Sequence, residues 1–183
     1  MDKQNAAFLS ARCAAFSSLA RLRGSAWQGQ TNIMIMGWHM ILEFAPSLVG
    51  CYVWTENHSF GLIRCSRECV VNIPTVDLAA KVVDIGNSSG RDIDKFATYG
   101  LTAVPGVKVK APLIGECFAN FECKLVDSGL IRKYSLFVFE VVKGHVARSP
   151  IYPRIIHYRG DGVFMISGEN THRYRRRFKP EML

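Results

Sequence analysis

Residues 116–125 read ECFANFECKL, and residues 135–146 read SLFVFEVVKGHV. In the first stretch Cys117, Ala119, Phe121, Cys123 and Leu125 fall on one alternating set, with Glu116, Asn120, Glu122 and Lys124 on the other. A repeat of two sends successive side chains to opposite faces of an extended chain, so this is a strand with an apolar and a polar face. The second stretch, rich in Val and Phe, is a long strand beside it.

Upstream, SLVGCYVW (47–54) and CVVNIP (69–74, closed by Pro74) read as further strands. Residues 33–41 are apolar on both alternating sets, which suits a strand buried on both sides. IIHY and VFMIS flank Arg159-Gly160-Asp161-Gly162, a turn sequence of the kind that closes hairpins. Three helices are expected between these strands. Asn57 or Ser59 caps a short one through Ile63, Thr75 caps one that ends at Gly86, and Ser88-Ser89-Gly90 starts one that carries Lys95 and stops at Gly100. Six or more strands joined mostly by short turns, with two or three short inserted helices, define a mainly β, antiparallel barrel.

The 183 residues suffice for one domain with a sizeable core, and 49% of them are apolar. No run of 18 apolar residues occurs, so no membrane-spanning helix is expected. The net charge of +8 sits at the ends: residues 1–30 carry +3, residues 173–183 carry +4, and the body between them about +1. A nucleic-acid partner would call for a basic face on the folded body, so none is expected. The six cysteines (13, 51, 65, 69, 117, 123) form no CxxC pair and meet no histidine at ligand spacing. Zinc and thioredoxin-type redox chemistry are disfavoured, and reduced core cysteines in a cytoplasmic protein are the expectation.

Four residues stand at separations useful to a phosphorylated ring cofactor. Asn32 and Trp38 lie in TNIMIMGW, Ser59 in TENHSFGLIR, and Lys95 in GNSSGRDIDKF. They supply a polar side chain, an aromatic plate, a hydroxyl at a helix start and a cation. A phosphate is held by helix N-termini, hydroxyls and cations. Three of them also have an ordinary reading: Ser59 as a plain N-cap, Lys95 as a solvated surface lysine and Trp38 as a core aromatic; Phe164, later in the chain, reads by default as a core aromatic too. His39, His145 and His157 read as structural.

Read together, residues 31–168 resemble the flavin reductase-like, flavoredoxin-type family. The resemblance implies an FMN-binding split β-barrel, a homodimer with a flavin near each subunit contact. It further implies hydride transfer from NAD(P)H to flavin and on to an acceptor, either a partner oxygenase or a redox protein. It assigns Ser59 and Lys95 to the phosphate side, with Ser89 and Arg91 at a helix start nearby. Asn32 and Trp38 match positions lining the ring and ribityl region, and the flanking Met34, Ile35, Met36, Gly37, Thr55, Asn57 and His58 are drawn into the same site. Ile35 stands where relatives commonly have Thr or Ser and Tyr134 where they often have His, and Phe164 is a candidate to pack over the ring. No catalytic side chain and no metal ligand is assigned.

The resemblance breaks off before Thr31. Residues 1–30 contain no Val, Ile or Thr, whereas the family places a Val-rich barrel strand before the turn that Gly29-Gln30-Thr31-Asn32 supplies here. Residues 1–30 therefore read as an atypical segment, either foreign to the family's text or a targeting segment, and no strand is expected from residues 14–24. Residues 169–183 read as a solvated basic tail. Two rivals to the oxidoreductase reading follow: a non-catalytic FMN electron carrier, and a damaged member that binds flavin weakly or not at all.

Overall fold

A computed structural model describes residues 14–20, 30–168, 175–177 and 179. The remainder of the atypical N-terminal segment and most of the basic tail lie outside the described residues.

Seven antiparallel strands form the main sheet, in the order β2-β1-β5-β8-β9-β4-β3. They are β1 (Ala14–Ala20), β2 (Gln30–Met36), β3 (His39–Phe44), β4 (Ser47–Tyr52), β5 (Glu68–Ile73), β8 (Ala119–Asp127) and β9 (Leu136–Val146). Two small ladders accompany it: β6 (Ala103–Val104) with β7 (Leu113–Ile114), and β10 (Ile156–Gly160) with β11 (Val163–Ile166). Helices α1 (His58–Ser66), α2 (Ala79–Gly86), α3 (Lys95–Thr98) and α4 (Ile131–Tyr134) are inserted between strands. The main core is apolar and aromatic, with Phe121, Phe137 and Phe139 fully buried and Phe137 stacked on Phe139 at 6.0 Å.

The alternating stretch is β8, and its apolar set does face the core: Ala119, Phe121 and Cys123 are fully buried. Its polar set does not simply face water. Residues 105–111 fold back over it, and Glu122 is buried beneath them, accepting hydrogen bonds from Val107 N at 3.1 Å, Val109 N at 2.9 Å and Lys108 N. Glu68 Oε2 accepts from Lys110 N, pinning the same segment from β5, and Asn72 Oδ1 accepts from Ile114 N in β7 just beyond it. His145 Nε2 meets Glu122 Oε1 at 2.6 Å, a structural role for that histidine.

Three expectations are corrected. The stretch 33–41 is not one strand buried on both sides. It breaks after Met36, and β3 is largely exposed at an edge. The helix carrying Lys95 does not start at Ser88-Ser89-Gly90. Asp94 is its N-cap, its carboxylate accepting from Phe96 N and Ala97 N, because an aspartate one residue before the helix offers the better acceptor.

The third correction concerns the N-terminal segment: β1 runs from Ala14 to Ala20 as a regular strand. It pairs in register with β2 over seven positions, Ala14 opposite Met36 to Ala20 opposite Gln30, and with β5 through Ala15, Phe16 and Ser17. Intrinsic preference for strand is weak and context-dependent. Two neighbouring strands that each offer unpaired backbone groups outweigh it, because those groups must be paired when buried. The absence of β-branched residues therefore did not remove the strand, and a missing barrel strand no longer speaks for a damaged protein.

Among the described residues no helix is long and apolar enough to cross a membrane. The described cysteines are all free; Cys51, Cys69, Cys117 and Cys123 are buried and Cys65 is exposed.

Candidate anion and cofactor site

The middle of the chain encloses a cavity of about 310 Å³ between β2, the turn leading into α1, the C-terminal end of α2 and the loop before α3. Its innermost polar side chains are Asn32, Ser59 and Lys95, exposed by only 3%, 1% and 5%. Burial on this scale is unusual for a lysine and costs free energy unless polar partners replace water.

Asn32 Nδ2 donates to Ser59 Oγ at 2.8 Å. The serine oxygen thus serves as an acceptor on one side, and its own O–H proton is left to point elsewhere. Asn32 Oδ1 is buried and has no hydrogen-bond partner. An unpaired buried amide oxygen costs about 1–3 kcal/mol, which a ligand donor would relieve. Gly90 makes this arrangement possible, since a β-carbon there would overlap the Asn32 amide.

Lys95 opens α3 and reaches back across the cavity, donating to the Ile85 carbonyl oxygen at 2.8 Å. One of its three N–H groups thus satisfies the end of α2, where Ser88 Oγ also bonds the Ile85 oxygen at 3.2 Å. Burial pushes the Lys95 ammonium down to about 8.

The first turn of α1 faces the same cavity through Asn57, His58 and Ser59. Asn57, its N-cap, makes no side-chain capping bond, so the turn keeps its partial positive charge. Arg91 is exposed at the mouth; a guanidinium N–H reaches the Glu56 carbonyl at 3.5 Å and its backbone N–H donates to Ser89 Oγ at 3.2 Å. Burial, then the charges of Arg91 and Lys95, hold the His58 imidazolium below its ordinary range, against a smaller opposing pull from Asp92. This collection of donors and cations is suited to an anionic oxygen-rich group.

Of the residues singled out in the sequence, Asn32, Met34, Ile35, Asn57, His58, Ser59, Ser89, Arg91 and Lys95 line this cavity. Lys95 is not the solvated lysine of the ordinary reading. The other six lie elsewhere. Met36 is packed into the main core, 2% exposed. Gly37 and Thr55 are on the surface. Trp38 is 71% exposed and rests against Tyr52 at 5.1 Å, so it is no core aromatic. Tyr134 is exposed, with Lys133 Nζ 5.0 Å from its ring centroid. Phe164 packs on Tyr158 at 5.2 Å and against Val82 and Ile156.

Backbone bonds from Tyr52 N to Trp38 O and from Val53 N to Ser135 O draw Trp38 and the end of α4 to one end of the sheet. The cavity also takes in Glu56, Ile85, Gly86, Ser88 and Gly90, which sequence reasoning had not named as site residues. Gly90 carried a signal in the small-residue run Ser88-Ser89-Gly90, read there as a helix start. The two α2 residues carried none, because their contribution comes from the backbone end of a helix.

The "Flavin reductase like domain" family profile matches residues 15–163, beginning inside β1. An uncharacterized protein of Archaeoglobus fulgidus is 36% identical over 111 residues, 61% of this chain and 63% of its own length. A Pyrococcus abyssi relative is 32% identical over 62% of this chain, and 64% of its length is covered, so the chain spans a little under two thirds of these archaeal relatives. Among solved structures, the FMN-binding domain of a flavin reductases-like enzyme from Shewanella baltica superposes with a TM-score of 0.78 at 23% identity, covering 94% of this chain and 95% of that one. Flavoredoxin of Desulfovibrio vulgaris (Miyazaki F) gives 0.76 at 24% identity over 90% of both. Nitrilotriacetate monooxygenase component B from Bacillus cereus gives 0.71 at 18% identity over 93% of both. These likenesses establish the split-barrel fold, and the profile match over most of the sequence establishes the lineage: the chain belongs to the flavin reductase-like domain family.

Proposed function

We propose that the chain binds FMN with its phosphate turned into the cavity and acts as an NAD(P)H-dependent flavin oxidoreductase, passing a hydride from NAD(P)H to flavin and on to an acceptor. The observation that carries this reading is the buried trio of Asn32, Ser59 and Lys95. It offers an unpartnered amide oxygen, a hydroxyl proton with no internal acceptor among the described residues, and an ammonium with N–H groups to spare. Those are the complements of a ribityl hydroxyl and a phosphate, so the residues present fit the group. Neighbours that are themselves described as FMN-binding support the same reading.

Bound flavin supplies the hydride chemistry. The chain's own work is to hold the phosphate through Lys95, Ser59 and the first turn of α1, and to bind the polyol beside Asn32. The cationic rim, Arg91 foremost, draws the anion in. Trp38 and Tyr134, at the sheet end and outside the cavity, are the aromatic surfaces against which a ring system would rest.

The electron acceptor is a partner oxygenase or a redox protein, in keeping with the Bacillus cereus neighbour's place as a monooxygenase component. A second copy of the chain covers the exposed Met40 and Leu42 on the edge strand β3, whose side chains lie together over Gly50. Free, mostly buried cysteines accord with a cytoplasmic protein.

The purified protein tests the proposal in two steps. Visible absorption bands of flavin, or quenching of FMN fluorescence on titration, are expected first; their absence overturns the binding. Steady-state oxidation of NADH and NADPH with added FMN is expected next. Tight binding with no turnover would overturn the enzyme and leave the electron carrier. Sedimentation at graded concentration reports the dimer.

A further inference from the structure

His58 shares its cavity with Arg91 and Lys95, and burial, followed by the charges of those two cations, disfavours its own charge. Cations that repel one another in an empty pocket become cooperative when a dianion enters, since each then gains an opposite charge. We propose that His58 is a proton-controlled third cation of this pocket: charged, it joins Arg91 and Lys95 around the ligand's anionic end, and neutral, it leaves the grip to those two. The inference rests on the reading of the cavity as a phosphate site and adds regulation of its affinity by pH.

The charged groups around His58 among the described residues come from the turn, the loop and the start of α3. Glu56 precedes it in the turn, Arg91 and Asp92 lie on the loop, and Lys95 opens α3. The Asp94 carboxylate is engaged at its own helix start, accepting from Phe96 N and Ala97 N. Arg91 keeps its charge throughout. Asp92 supplies a negative charge that favours protonated His58, but it is outweighed before any ligand arrives.

The sign follows from linkage. A bound dianion raises the pKa of both His58 and Lys95. The affinity gained from each is therefore fully present below its ligand-free value and is lost as pH rises through its ligand-bound value. For His58 the gain is full below its ligand-free value, which lies under the ordinary histidine range, and fades as pH rises above it. For Lys95 it holds until about pH 8 and fades above. Affinity for a phosphomonoester thus falls in two steps as the medium becomes alkaline, and an upshift of one pKa unit at His58 makes the first step about tenfold.

The test measures Kd for FMN and for riboflavin by fluorescence quenching from pH 5.5 to 9.5, on the full chain and on its His58→Asn and His58→Gln variants. The phosphate's own second ionisation, near pH 6, runs in the opposite sense but cancels in the ratio of wild type to variant. The expected result is an FMN ratio favouring wild type by about tenfold at the acid end and approaching one above neutrality, with riboflavin ratios flat. Equal FMN ratios at all pH values, or a riboflavin ratio that changes in parallel, overturn the inference while leaving the phosphate site intact. Riboflavin bound as tightly as FMN at every pH by the wild-type chain overturns the phosphate site itself and the inference with it.

Discussion

Lys95 donates through Nζ to the Ile85 carbonyl oxygen at 2.8 Å, so one buried ammonium closes the end of α2 and lines the cavity at once. This double duty separates two consequences of removing it. In Lys95→Met the aliphatic stem is kept and the charge lost. FMN affinity is expected to fall by about ten- to a hundredfold, the worth of one charge-assisted hydrogen bond, roughly 1.5–3 kcal/mol, while riboflavin is barely affected. Fluorescence titration of both ligands checks it; equal losses would place the lysine away from the phosphate.

The same lysine sets a pH trend in the ligand-free chain. Its native value of about 8 lies below the 10.5 of an unhindered lysine. Between those values the unfolded chain holds the proton and the folded chain does not, so Lys95 makes stability rise with pH across that window. Urea midpoints of wild type and Lys95→Met should therefore draw apart from pH 8 to 10, the wild type gaining. Saturating FMN should flatten the trend, because a bound phosphate restores the charge.

Gly90→Ala places a methyl group against the Asn32 amide, which is itself fixed by its bond to Ser59. Overpacking of this kind costs about 1–3 kcal/mol. The expected outcome is a lower thermal midpoint together with weaker FMN binding, since the relaxed Asn32 no longer orients the serine hydroxyl. A variant that lost stability but kept full affinity would show that this orientation does not matter to the ligand.

Ile35 lines the cavity and also packs with the cluster around Ile33, Ile85 and Phe96 and with Val82 and Ile156. Ile35→Thr should tighten FMN by about 0.5–1.5 kcal/mol through one new hydrogen bond. It should also cost stability, because a hydroxyl replaces apolar contact in a packed site. Opposite signs in the two measurements, titration and thermal melting, are the signature. Weaker binding would mean the apolar contact serves the ligand better.

The parts of this fold legible in the sequence are those where a local pattern and its surroundings agree. Phe121 and Cys123 alternate with polar neighbours and face the core as the alternation requires. Glu122 sits in the same pattern, yet it is buried, because the segment that covers it comes from residues 105–111 and no local pattern announces that return. Ser17 and its neighbours in β1 are paired by β2 and β5 despite a composition poor in strand formers. The grouping of Asn32, Ser59 and Lys95 was legible through family resemblance, and the three line one cavity. The burial of Lys95 was not, since it depends on where the end of α2 lands. Trp38 and Tyr134 are exposed at a sheet end, outside the cavity in which the sequence had grouped them with Lys95.

Glu122 offers the sharpest stability test. Burial alone would raise its pKa, but the His145 ring and the backbone N–H groups of Lys108, Val107 and Val109 together hold the carboxyl below its ordinary range. Its contribution is therefore present above the unfolded-state value and is lost as pH falls through the lower native value. Glu122→Ala strands three backbone donors and the His145 ring, and a loss of about 3–5 kcal/mol is expected, as when one partner is removed from a buried pair. Glu122→Gln keeps one acceptor and should lose less. In both variants the amides of residues 107–109 should exchange hydrogen faster and trypsin should cut after Lys108 or Lys110, because the covering segment is no longer held. Acid unfolding should also become less steep in either variant, the buried carboxyl being gone. If urea denaturation at neutral pH gave Glu122→Ala the stability of wild type, the carboxylate would not be what fastens residues 105–111 to β8.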